Sequence, residues 1–325
     1  MSSVSPPRTE TAVAGTASDL SFASRSSRIE HGLFRVFRAA FAALPQPWAL
    51  RLGAQLGNFL YLVDARHRRL ALRNLALAFP DRSEAERRSI LRRSCRNLGR
   101  VAAEFCHFDR LTSDTIHRYV RIADPAAWRS TWEIARERGA IILTAHLGNF
   151  ELLAYAHGLM GCPVTIVHRP MRNQLVDRDI IDWRARAGTR SIAKKAAAKD
   201  VIRALRNREM VAIPADQNQT RRFGVFVDFF GLPASTTPGP SRLAALTGAP
   251  VFPVFLVRDG ETDRHRIEVL PEVEMVNSGN RDADIVANTQ RCTAVIEQMV
   301  RAYPDQWIWF HKRWRTRPLG EPRIY

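Results

Sequence analysis

Beyond residue 139 four short runs are apolar almost from end to end: AIILTAH (140–146), VTIVH (164–168), MVAIPAD (210–216) and APVFPVFLV (249–257). They are continuous rather than alternating, the pattern of strands covered on both faces, and the segments between them can be helical. That alternation predicts an α/β fold with a largely parallel central sheet flanked by helices. Functional groups collect where the strands of such sheets end. His146, His168 with Arg169, and Asp216 all stand at those ends.

Upstream the apolar period lengthens. Ser83 followed by Glu86 is a capping-box pattern, and Ile90, Ser94, Leu98, Val101 and Phe105 recur at three- and four-residue spacing, which predicts a helix. Arg87, Arg88, Arg92, Arg93, Arg96 and Arg100 would decorate its other faces. The mostly apolar segment 39–63 is interrupted by Pro45, Gln46, Pro47 and Arg51 before it reaches the roughly 20 residues of a spanning helix. It reads as an element lying in a membrane interface or as a buried helical hairpin. A late segment, 284–304, reads as an amphipathic helix stopped by Pro304, followed by DQWIWFHKRWRTRP. Its tryptophans interleaved with cations suit an anionic interface or a packed C-terminal strand. The division is then a disordered Ser/Thr-rich tail at 1–31, a helical membrane-associating extension at 32–138 and an α/β core at 139–325.

Charge narrows the partners. The chain of 325 residues carries a formal +17, with a sequence pI near 11.0, which points to an anionic partner: nucleic acid, anionic lipid or an acidic carrier protein. The tail balances Arg8, Arg25 and Arg28 with Glu10, Asp19 and Glu30, so the excess lies elsewhere. The tail also has no apolar core leading to a cleavage site, so no secretory signal is expected. Cys95, Cys106, Cys162 and Cys292 are scattered without metal-ligand spacing, which fits a reducing cytoplasmic setting and no cysteine-bound metal.

The chain has no Gly-x-Ser-x-Gly elbow, phosphate loop, His-Glu-x-x-His or dinucleotide fingerprint, so serine hydrolases, NTPases and zinc proteases lose support. What remains is HLGNFE, residues 146–151. Gly148 frees the backbone to turn, Asn149 is a candidate N-cap, and Glu151 falls in the first helical turn. A neutral His146 could take a proton from a hydroxyl while a carboxylate fixes its tautomer. The plainer reading is a hydrogen-bonded strand-end histidine and a carboxylate favoured by the helix dipole.

In six ordered blocks the chain resembles the bacterial lipid A late acyltransferases of the lauroyl/myristoyl type, within the lysophospholipid acyltransferase superfamily. The blocks are NLALAFPDRSEAER, TAHLGNFELLA, VHRPMRNQLVDRDIIDWRARAG, VAIPADQN, GVFVDFFGLPASTTPGPSRLAALTGAPVFPVFLVR and QWIWFHKRWRTRP, covering about residues 45–317. The resemblance implies a His-x-x-x-x-Asp/Glu motif matched by His146 and Glu151, with His146 as general base and no metal or cofactor. An acceptor hydroxyl would attack the thioester of an acyl-acyl carrier protein directly.

Asp216 matches another block and competes with Glu151 for the imidazole. Arg169, Arg184 and Asn149 are the candidate substrate-binding residues, with Arg184 either on an acceptor phosphate or paired with Glu151. Phe229-Phe230-Gly231 and Thr236-Thr237 would shape the mouth of an acyl groove or serve plain packing and turns. The implied setting is the cytoplasmic face of a bacterial inner membrane, with a lipid A precursor-type glycolipid as acceptor. An aminolipid, a glycosylated phosphoinositide or a lysophospholipid is the alternative. A nucleic-acid-binding protein would leave the His146/Glu151 turn without a purpose, and no nucleic-acid partner is expected.

Overall fold

The computed structural model describes residues 24–193 and 197–325. Four helices lead: α1 (Arg25–Ala43), α2 (Gln46–Val63), α3 (Ala65–Ala78) and α4 (Glu84–Phe105). Helix α1 thus begins inside the segment expected to be a tail, capped by the Ser24 side chain on the Ser27 amide. The rest of that expected tail, 1–23, lies outside the described residues. The capping box of α4 forms as its spacing predicts, Ser83 and Glu86 each bonding the other's backbone amide.

Helix α4 buries more than its predicted stripe. Ile90, Ser94 and Val101 point inward, but so do Leu91, Cys95 and Glu104, while Leu98 stays exposed. Arg100, expected on a solvated face, is buried and reaches Glu261 at 2.8 Å. The sheet covers Leu91, Cys95 and Glu104, and α2 closes on the helix from another side. A Cβ at Gly57 would lie 2.1 Å from the Cys95 carbonyl oxygen, and one at Gly99 would lie 2.0 Å from that of Gly53. Bare backbone on both helices lets their axes come together.

The core alternates strand and helix as expected, but its first strand and helix fall before residue 139, inside the segment expected to be a helical extension. In order come β1 (Val120–Ile122), α5 (Pro125–Arg138), β2 (Ala140–Thr144), α6 (Phe150–Leu159), β3 (Val164–His168), α7 (Gln174–Arg186), β4 (Arg190–Ala193), α8 (Ala197–Arg206) and β5 (Met210–Pro214). A hairpin follows, β6 (Val225–Phe229) and β7 (Leu232–Thr236), and then α9 (Gly239–Thr247), β8 (Val251–Arg258), β9 (His265–Val269) and α10 (Arg281–Ala302). The sheet order is β1-β9-β8-β2-β5-β3-β4. Every neighbouring pair in it is parallel except β8 with β9.

Alternate residues of the central strands feed two cores. Ile141 and Leu143 of β2 join Val251 and Phe255 of β8 beneath α3, α4 and α10. Ile142 joins Phe252, Val254 and Leu256 beneath α6. With both faces covered, the strands have no polar side to show, which is why their sequence reads as unbroken apolar runs.

The chain after α10 is neither a strand nor an exposed belt. Trp307, Trp309 and Trp314 are at most 1% exposed and belong to the first core. Their indole N–H groups donate to Asp216 Oδ2, the Pro304 carbonyl and the Phe229 carbonyl. This overturns their reading as an interfacial anchor: each ring has a protein hydrogen-bond acceptor and an apolar bed, which serve it better than headgroups.

Candidate active site

Strands β2 and β5 pair in parallel with Thr144 opposite Pro214, so the two residues that follow in each, ending at His146 and Asp216, leave the sheet side by side. Asp216 Oδ2 accepts from the His146 backbone N–H at 3.0 Å, and Asp216 Oδ1 pairs with His146 Nδ1 at 2.8 Å. The Trp307 indole donates to Asp216 Oδ2 at 2.8 Å. A carboxylate so held takes the Nδ1 proton as its donor, which leaves Nε2 as the basic nitrogen of the neutral ring. Asp216 is 2% exposed, while the His146 side chain remains 23% exposed against the Phe150 ring.

Electrostatics follow from this burial. Desolvation works against the imidazolium, yet the Asp216 charge and hydrogen bond outweigh it and raise the His146 pKa above its ordinary value. Desolvation also works against ionised Asp216, and the facing His146 with the Trp307 hydrogen bond holds its carboxyl well below the usual range. The pair therefore joins a partly exposed imidazole to a buried, ionised carboxylate that orients it.

The turn carrying His146 is clamped from both sides. Ile308 donates its amide to the His146 carbonyl at 3.2 Å, and Gly148 donates to the Gln306 carbonyl at 2.9 Å. Gly148 has φ +64°, and a Cβ there would sit 1.8 Å from the Leu256 oxygen. Only glycine satisfies both conditions. Asn149 caps α6 by accepting from the Leu152 amide, and its own amide group donates to Glu104 Oε2 at 2.7 Å. Fully buried and turned toward α4, Asn149 does not line the cavity, which corrects its assignment as a substrate contact.

Glu151 does not reach the imidazole. Arg184 of α7 grips it through three hydrogen bonds of 2.7, 2.9 and 3.1 Å, so the competition between the two carboxylates falls to Asp216 by geometry. Arg184 is thereby committed to Glu151 rather than free for a phosphate. Arg169 lines the cavity and, among the described residues, has no carboxylate within ion-pair distance. Phe229 and Phe230 make the hairpin turn with Gly231, where Phe230 itself takes φ +58°, and pack in the core; Thr237 alone of that group lines the cavity.

His146 opens on a cavity of about 1460 Å³ with two characters. One wall is apolar, built from Val201 and Ile202 of α8, Leu243 and Leu246 of α9, and Ile213 of β5. The other is cationic, and Glu151, already paired with Arg184, is the only acidic residue among the described residues that line it. Among the described residues no group of three His, Cys, Asp or Glu side chains is placed to hold a metal ion.

Residues 26–316 match the family described as bacterial lipid A biosynthesis acyltransferase. The chain belongs to that family. It is similar to the lipid A biosynthesis lauroyltransferase of Escherichia coli K12, 29% identical over 283 residues that span 87% of this chain and 90% of the relative. It is 26% identical to the palmitoleoyltransferase of that organism over the same shares. With its myristoyltransferase it shares 28% identity over 291 residues, 88% of this chain and 87% of the relative.

This lipid A-family protein is thus an acyltransferase, and its histidine motif has support the motif spacing does not reveal. Trp307, 91 residues from Asp216, carries no local signal of its role as a carboxylate donor. Equally silent is the buried group of Glu104, Arg258 and His265 behind Asn149. Arg258 pairs with both Glu104 oxygens and with Asn97, and His265 lies 3.5 Å from Glu104. Burial opposes ionised Glu104, but Arg258 and His265 overcome it and hold the carboxyl well below its usual range.

Proposed function

We propose that the protein transfers a fatty acyl chain from acyl-acyl carrier protein to a hydroxyl of a lipid A precursor-type glycolipid. His146 Nε2 takes the hydroxyl proton as the oxygen attacks the thioester carbonyl. Collapse of the tetrahedral intermediate breaks the C–S bond, and the imidazolium returns the proton to the carrier's thiolate. Asp216 stays ionised and stabilises the imidazolium. The apolar wall formed by α8 and α9 suits an alkyl chain, and the cationic wall suits anionic substrates. Arg169 is a substrate-binding candidate there, while the Glu151–Arg184 pair braces the first turn of α6.

The observation that carries this reading is the His146–Asp216–Trp307 chain at the edge of a cavity that is apolar on one side and cationic on the other. The working place we propose is the cytoplasmic face of a bacterial inner membrane, held peripherally. In support, α1 and α2 expose Leu33, Val36, Trp48, Phe59 and Leu60, and no described helix is long and apolar enough to cross a membrane.

The test is acyl transfer by purified protein from acyl-acyl carrier protein to a lipid A-type glycolipid. His146→Ala is expected to lower kcat by on the order of 10²-fold or more. Unaltered transfer by that variant would remove His146 as the base.

A further inference from the structure

Helix α3 places Arg66, Arg69 and Arg73 on one face, at the i, i+3, i+7 spacing, and all three line the cavity. The stripe is about 10 Å long at the α-helical rise. The opposite face, with Ala71, Leu75 and Ala78, is buried in the core, so the stripe cannot turn away. Beside it run Lys312 and Arg315 of the C-terminal segment, which also line the cavity.

The two rows are fastened together. Buried Asn74 donates to the carbonyls of Trp309 and His311 at 2.8 Å each, and Tyr325 donates to Asn74 while its ring lies 5.9 Å from the Lys312 ammonium. Among the described residues, none of these five cations has a carboxylate within ion-pair distance. Five like charges fixed side by side repel one another, so the arrangement is favoured by an anion that brings its own charge.

Its place in the chain says which anion. Only Asp64 separates helix α3 from α2, and the end of α2 is the exposed apolar stretch of Phe59, Leu60, Leu62 and Val63. An α2 face seated in hydrocarbon puts Arg66, three residues on, at the depth of lipid headgroups.

We infer that Arg66, Arg69 and Arg73 with Lys312 and Arg315 form the binding site for a phosphate group on the sugar headgroup of the acceptor glycolipid. The inference rests on the proposed acyl transfer to such a lipid and adds where its phosphate is held. Arginine offers a phosphate two parallel N–H donors, and Lys312 a point charge at the other side. A phosphate gripped there fixes the sugar at the cavity rim, with a neighbouring hydroxyl directed to His146.

The test uses Arg69→Gln/Arg73→Gln and, separately, Lys312→Gln/Arg315→Gln. These side chains are exposed, and circular dichroism with thermal melting verifies folding. Binding is measured first, without turnover, to detergent micelles carrying a bisphosphorylated disaccharide glycolipid, its phosphatase-treated form, or phosphatidylglycerol. Each double variant should weaken binding to the phosphorylated glycolipid by 10-fold or more. Binding to the dephosphorylated form should change by less than 2-fold, and phosphatidylglycerol micelles should be affected far less than the phosphorylated glycolipid.

In turnover, KM for the phosphorylated acceptor should rise with little change in KM for acyl-acyl carrier protein. Equal losses on phosphatidylglycerol would make the stripe a general membrane contact, and a raised carrier KM would make it a carrier-docking face. Either result overturns the inference. Should wild-type protein bind the phosphorylated glycolipid through these residues but fail to acylate it, the acyl-transfer reading falls and the phosphate site stands.

Discussion

At the scale of single residues, the decisive pair is His146 and Asp216. In the proposed mechanism His146 must be neutral to accept the proton, so activity should fall as pH drops through the His146 pKa, which the Asp216 charge and hydrogen bond raise against the pull of burial. Asp216→Asn removes the charge and keeps the shape. The acidic limb of the kcat profile should then move to lower pH, while the plateau drops by on the order of 10²-fold or more because the tautomer and the imidazolium lose their support. An unshifted limb in a pH–rate series would assign the titration to another group. The pairing itself was half visible beforehand. HLGNFE named the histidine, and the end of the run MVAIPAD named Asp216. Spacing within one segment favoured Glu151, because linear distance cannot reveal that parallel neighbours β2 and β5 deliver their ends together, nor that Arg184 occupies Glu151.

At the scale of elements, the turn carrying His146 is held by its neighbours. Helix α4 contributes Glu104, whose side chain is 5% exposed, and β8 contributes Arg258; together they anchor Asn149 at the head of α6. Breaking a buried ion pair from one side leaves an uncompensated charge, so Glu104→Gln should cost about 3–5 kcal/mol, read as a lower urea midpoint. The sign of its pH dependence is fixed. Glu104 titrates far lower folded than unfolded, so its stabilisation is present above about pH 4 and fades as pH falls toward the folded value. The variant's stability should therefore decline less steeply in acid than that of the wild type. Gly57→Ala tests the other contact of α4: with 2.1 Å to the Cys95 oxygen, the helices must separate, at about 1–3 kcal/mol. The elements themselves were legible where apolar period and caps agreed, as in α4 and the four buried runs. The edge strands β1 and β4 escaped because short segments such as Arg190–Ala193 carry little apolar pattern. The tryptophans of QWIWF misled because aromatic-cation interleaving does not distinguish a headgroup belt from a core that supplies buried acceptors.

At the scale of the whole molecule, exposed apolar surface and cavity-lining cations meet where α2 runs into α3. The chain carries +17, and the large exposed apolar side chains concentrate on α1 and α2 next to a cavity whose rim is cationic. Helix α2 packs its glycine face on α4 and leaves Trp48, Leu52, Phe59 and Leu60 outside, so the hairpin is both a packed element and an apolar surface. Exposed apolar side chains on one helical hairpin, leading into the arginines of α3, fit an anionic bilayer surface. Seating one of these side chains in hydrocarbon contributes about 1.5–3 kcal/mol, so replacing it by a carboxylate loses that and adds repulsion from anionic headgroups. Leu33→Glu and Phe59→Glu should each lower partitioning onto phosphatidylglycerol vesicles about 10-fold or more in a sedimentation assay. Folding should be unaffected, because both positions are exposed in the free protein. Salt separates the two contributions: at about 1 M the Debye length shrinks to roughly 3 Å, so the part due to charge should vanish while the apolar part persists. Partitioning that ignores both substitutions and responds to salt alone would mean that the cations dock the protein and the α1–α2 face does not.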